Sequence, residues 1–199
     1  MSSHAAAAQP RVLADAVPNV RARDLALVVA GALLTALCAQ VSIPVPGSPV
    51  PITGQTFAVL LCGAGLGATR GASSQGLYVG LGFVGLPFYS EGESGPDVIF
   101  GTNGGYLIGF ILAAYVVGRL AERQHDRTPL KALPLFTLGS VVIFALGVPW
   151  LAVAADMTPV EALDAGFVPF IPGGIVKAAA AAALLPAAWR LVDYKGPSR

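Results

Sequence analysis

The sequence predicts an all-α integral membrane protein, a compact bundle of six transmembrane helices with both termini in the cytoplasm. Composition points to the class: 55% of the 199 residues are hydrophobic and 12% are charged, against about 25% charged in an ordinary soluble domain. The distribution of charge then counts the helices. Residues 25–43, 52–68, 72–89, 104–118, 133–155 and 171–189 contain no Lys, Arg, Asp or Glu apart from Lys177. A soluble helix would carry charge on its outer face, and these segments carry almost none.

At a rise of about 1.5 Å per residue, most of the six reach across a hydrocarbon core of about 30 Å; the second and fourth lie near the lower limit. The remaining basic residues sit before the first segment, between the second and third, between the fourth and fifth, and after the sixth, Arg70 and Arg119 among them. Loops on the other side carry Glu91, Glu93, Asp97, Asp156, Glu161 and Asp164 instead. The positive-inside rule therefore places both termini in the cytoplasm of a multi-pass protein of the cell membrane. Residues 1–23 have no signal-peptide pattern and read as a flexible cytoplasmic tail, 24–193 as the membrane domain, and 194–199 as a second tail.

Three outer stretches depart from plain lipid-spanning sequence. In VSIPVPGSPVPITGQT, residues 41–56, four prolines make the connection extended and stiff, and Thr53, Gln55 and Thr56 follow where a helix re-enters the membrane. In the long loop of residues 85–110, aromatic residues enter and the polar run TNGGY leaves; Asn103 can cap a helix or meet a ligand. In IPGGIVKAAAAAA, residues 171–183, Lys177 stands roughly 9 Å inside the outer end, with Gly173 and Gly174 on its own helical face. A charge at such a depth costs about 2.5–3.5 kcal/mol even on gentle scales, so it marks a candidate functional site. Two small-xxx-small pairs, Ala26 with Ala30 and Ala32 with Ala36, offer the first helix a surface for close helix packing.

Several functions lack their residues. There is no GxxxxGK[ST] phosphate loop and no HExxH, and the two histidines, His4 and His125, lie in the tail and a charged loop. Serines of GASSQG have no histidine at their depth to act as a base. Cys38 and Cys62 fall in apolar segments without metal-ligand spacing. The pattern is that of a binder, not an enzyme; no nucleic-acid partner and no covalently bound cofactor are expected.

Taken in order, PVPITGQTFAVLL (residues 49–61), GLPFY with TNGGYLIGF, and PFIPGGIVKAAAAAALL resemble the BioY family, the biotin-specific substrate-binding (S) subunits of energy-coupling factor (ECF) transporters. The resemblance covers essentially the chain after residue 24. It implies a six-helix bundle that binds biotin at its outer side for uptake, in the lipid bilayer, with a transmembrane coupling protein and two cytoplasmic ATPases as partners. Ala26, Ala30, Ala32 and Ala36 would then dock the coupling protein. A subunit for a biotin precursor or another vitamin, or a membrane interaction protein, are the alternatives.

By position, the resemblance implies that Asn103 and Lys177 recognise the bicyclic head of biotin, while Tyr78, Tyr89, Phe88 and Tyr106 wall its thioether ring. Lys177 would donate to the ureido carbonyl or pair with the valerate carboxylate. One position departs from the family pattern: Gly174 stands where an aspartate is usual, three residues before the lysine. Gln55 or Asn103 is expected to supply the missing acceptor.

Overall fold

The computed structural model describes residues 12–16 and 21–194. Among these, eight α-helices form: α1 (Arg21–Ala39), α2 (Gln55–Leu66), α3 (Ala68–Phe83), α4 (Pro96–Phe100), α5 (Gly104–Ala121), α6 (Pro129–Ala154), α7 (Pro159–Gly166) and α8 (Phe170–Tyr194). The six expected segments fall in α1, α2, α3, α5, α6 and α8. By length and composition α1, α5, α6 and α8 can cross a membrane.

The other two expected spans are shorter for local reasons. The proline-rich stretch after α1 forms a two-residue antiparallel ladder, β1 (Ser42–Ile43) with β2 (Ile52–Thr53), pairing Ser42 with Thr53 and Ile43 with Ile52. Helix α2 cannot start before this hairpin ends. It stops twelve residues later at Gly67, whose φ of 87° suits glycine, and is roughly 18 Å long. Helix α3 has 16 residues, roughly 24 Å, and carries Arg70, Ser73, Ser74 and Gln75 in its first half. Thus, among the described residues, four helices have full spanning length where six were expected.

Helix α5 packs on α6, α2 and α3, and α8 closes the bundle against α6 and α2. Missing side chains permit the tightest crossings. A Cβ on Gly63 would lie 2.7 Å from the Ala114 carbonyl oxygen, and one on Gly109 would lie 3.1 Å from Ile143 Cα. Such contacts are the small-residue packing that membrane helices rely on, because lipid is as apolar as the side chains.

Charged groups gather at one end of the bundle. Arg70 pairs with Asp24 at 3.3 Å, Glu122 accepts from the Ala68 amide at 2.9 Å, and Asp126 accepts from Trp189 Nε1 at 2.6 Å. Val12 and Ala14 also lie there, buried in the core beside Leu60, Phe136 and Leu185. Residues 12–16, expected to be part of a flexible tail, instead include a short 3-10 turn, Leu13–Ala16, packed on α2 and α8; the rest of residues 1–20 lies outside the described residues. Val12 and Ala14 are apolar, and burial recovers their hydrophobic free energy.

Candidate ligand-binding site

At the opposite end, where the acidic loops lie, a cavity opens between β2, the first turn of α2, the start of α5, and α6 and α8. Its empty space, counted out to the open mouth and including solvent there, is about 740 Å³. Gln55, Asn103, Tyr89, Tyr106, Gly174 and Lys177 all line it, so six residues from four separate segments of the chain meet at one place.

Lys177 projects from α8 towards the first turn of α2. Its ammonium donates to the Thr53 carbonyl at 2.5 Å and to Thr56 Oγ1 at 3.1 Å. No carboxylate pairs with it among the described residues. The glycines before it keep the site open: no atom lies within 4 Å of where a Gly174 Cβ would sit. The N-terminus of α2 adds its partial positive charge to the ammonium, so this corner favours a negatively polarised oxygen.

Two amides supply directional groups. Gln55, 6% exposed, donates from Nε2 to Tyr78 Oη at 2.6 Å, and its Oε1 accepts from Thr53 Oγ1 at 2.5 Å. Asn103 occupies the N-cap position of α5, yet its side chain makes no capping hydrogen bond. Its amide remains for the cavity.

Aromatic rings form the apolar wall, with their hydroxyls directed away. Tyr89 donates to the Val79 carbonyl at 2.7 Å, and Tyr106 donates to the Gly166 carbonyl at 2.9 Å. Tyr106 stands edge-on to Phe144, centroids 6.1 Å apart, and Phe144 in turn meets Phe170 at 5.8 Å. Tyr78 and Phe88 are not among the lining residues. Tyr78 is fully buried behind Gln55 and Tyr89, and Phe88 packs against the neighbouring core.

Phe144 and Ser140 of α6 line the cavity without having been anticipated. Apart from Lys131, Thr137 and Ser140 their helix is apolar, so no periodic signal separates its cavity face from its lipid face. The four alanines of α1 also divide. Ala26 and Ala30 are exposed, whereas Ala32 and Ala36 are buried in the bundle's own core. This corrects the expected docking surface: residues six apart on a helix point in different directions, and the second pair is used inside the molecule.

A model described as the BioY family matches residues 9–194. The chain belongs to the BioY family. Among BioY relatives, the biotin transporter BioY of Rhizobium etli is 36% identical over 170 residues, covering 81% of this chain and 90% of that protein. The biotin transporter BioY of Thermotoga maritima is 37% identical over 156 residues, covering 78% and 90%. A solved structure, the S-component for biotin from an ECF-type ABC transporter, superposes with a TM-score of 0.78 at 23% identity, covering 85% of this chain and 92% of that one. That likeness shows the fold. With transporter relatives and several long apolar helices, this BioY-family chain is a multi-pass protein of the cell membrane.

Proposed function

We propose that this chain is the S subunit of a biotin uptake system, capturing biotin at the outer face and releasing it to the cytoplasm with a coupling protein and two ATPases. The observation that carries the reading is Lys177: a membrane-depth cation with neutral partners only, facing a cavity that also offers two amides and a wall of aromatic rings. Biotin has the complementary groups. Its ureido carbonyl or valerate carboxylate suits the ammonium, its ureido N–H groups need acceptors, and its thioether ring suits the apolar wall. In this reading α2 and α3 complete six crossings, the basic end of the bundle faces the cytoplasm, and the cavity opens outward. The exposed pair Ala26 and Ala30 faces the coupling protein.

Isothermal titration of the detergent-purified protein with biotin, beside Lys177→Ala, tests the proposal. Tight binding by the parent and its loss in the variant are expected. A folded parent that binds no biotin would overturn it, and preference for desthiobiotin in the same titrations would move the ligand to a precursor.

A further inference from the structure

Between α4 and α5 the chain reads GTNGG, residues 101–105, in which only Thr102 and Asn103 carry side chains. Asn103 stands at the N-cap of α5 with φ −88° and ψ −14°, a helical backbone. A capping residue is ordinarily extended, so that its side chain can turn back to the amides of the first turn. Here the Asn103 amide makes no such bond and faces the cavity it lines. Glycines on both sides leave the backbone many conformations, so a group outside the run must hold this one.

We infer that Trp150 of α6, which does not line the cavity, is the positioning residue for Asn103: its indole pins the Gly101–Gly105 turn and so fixes where the Asn103 amide meets a ligand. Trp150 Nε1 donates to the Gly101 carbonyl at 2.9 Å. The bond has one direction only, since an indole N–H donates and a backbone carbonyl accepts. Contact continues on the other side of Asn103. A Cβ on Gly104 would lie 2.9 Å from Trp150 Nε1 and overlap the Ile99 carbonyl, and a Cβ on Gly105 would overlap Trp150 Cβ and lie 2.8 Å from its Cγ. The tryptophan therefore meets the backbone both before and after Asn103.

Close helix packing holds the tryptophan in turn. Ile143, Gly147 and Trp150 share one face of α6. Ile143 Cα lies 3.1 Å from where a Gly109 Cβ would sit, and a Cβ on Gly147 would overlap the Tyr106 ring. The turn is tied into α5 by the Gly104 amide, which donates to the Gly101 carbonyl at 3.4 Å, and by the Leu107 amide, which donates to the Asn103 carbonyl at 3.1 Å. Loss of the indole N–H would free the Gly101 carbonyl from α6 and let the turn, with Asn103, shift. An interfacial anchor, the ordinary use of tryptophan near the end of a membrane helix, predicts no coupling to Asn103.

The ligand role rests on the biotin reading; the pinning of the turn does not. The experiment therefore has a ligand arm and a ligand-free arm. In the first, biotin is titrated against the parent, Trp150→Phe, Asn103→Ala and the double variant. Phenylalanine keeps a ring and loses the N–H. Binding should weaken about tenfold or more on Trp150→Phe in the parent, and less than about threefold when residue 103 is already alanine. Equal losses in the two backgrounds, as a general loosening of the fold would give, or no loss in the parent, would overturn the inference.

In the second arm, hydrogen exchange of residues 98–107, read by mass spectrometry without ligand, should be faster in Trp150→Phe while α2 and α3 are unchanged. Unchanged exchange in this segment overturns the inference even if the parent binds no biotin, and so does exchange raised throughout the chain. Faster exchange confined to the segment, in a parent that binds no biotin, upholds the pinning and overturns the functional reading alone. If Trp150→Phe does not fold, 3-benzothienylalanine at position 150, which has the outline of tryptophan with sulfur in place of the N–H, carries both arms.

Discussion

Lys177 and Thr56, 121 positions apart in the chain, meet through a 3.1 Å hydrogen bond from the ammonium to the hydroxyl, where α8 crosses the first turn of α2. Both partners of the cation, this hydroxyl and the Thr53 carbonyl, are neutral. Replacing the lysine therefore breaks no ion pair. Lys177→Met keeps most of the stem volume and should leave thermal stability in detergent unchanged or raised, since a desolvated charge is removed. Biotin binding should weaken at least tenfold, read by titration of the same preparation.

Gly174 precedes Lys177 by three residues and faces open space. Gly174→Asp should fold as the parent does and place a carboxylate on the face of the lysine. Biotin affinity, measured by titration, should rise about tenfold if the new carboxylate accepts a ureido N–H. A fall would mean that the ligand itself occupies the space beside Gly174.

The two faces of α1 should respond differently to bulk. A Cβ on Gly31 would overlap Ser74 Oγ and lie 3.1 Å from Cys62 Sγ and 3.2 Å from Leu66 Cδ1. Gly31→Leu should cost about 1–3 kcal/mol by thermal or denaturant unfolding. Ala30→Leu, on the exposed face, should stay within about 0.5 kcal/mol. If that face docks the coupling protein, the same variant should bind biotin normally in detergent while cellular uptake falls.

Asp126, in the loop between α5 and α6, is buried and accepts from Trp189 at 2.6 Å, with the Arg127 guanidinium 3.4 Å from the centre of the Trp189 ring. Burial raises its carboxyl above the usual aspartate range, against the lowering effect of the Trp189 hydrogen bond. The folded state then binds this proton more tightly than the unfolded chain. Its contribution to stability should decline as pH rises from the ordinary aspartate range through the raised one. Asp126→Asn keeps an acceptor for Trp189 and should remove that decline, as thermal unfolding across the acidic range will register.

Val12 is 2% exposed between α2, α8 and the basic end of the bundle. Val12→Asp should lower stability by at least about 1–3 kcal/mol, the value of a buried valine, before the cost of the charge is added. Unfolding of the full chain with and without the substitution measures it. No change would mean that residues 12–16 are not held against the bundle.

The sequence by itself determined the class, the asymmetry of charge, the three irregular stretches and the unusual setting of Lys177 in an apolar helix. These are properties of local composition: water and lipid act on each segment separately, so runs of apolar residues and displaced prolines are legible one window at a time. Only the tertiary structure decided which faces of apolar helices turn inward. Phe144 entered the cavity wall, Tyr78 passed behind it, and Ala32 and Ala36 went into the core while Ala26 and Ala30 stayed outside. In a lipid-adapted helix both faces are apolar, so hydrophobicity does not choose between them. That choice falls to close packing at sites such as Gly31 and Gly63, and to long-range hydrogen bonds such as those joining Gln55 to Tyr78 and Lys177 to Thr53.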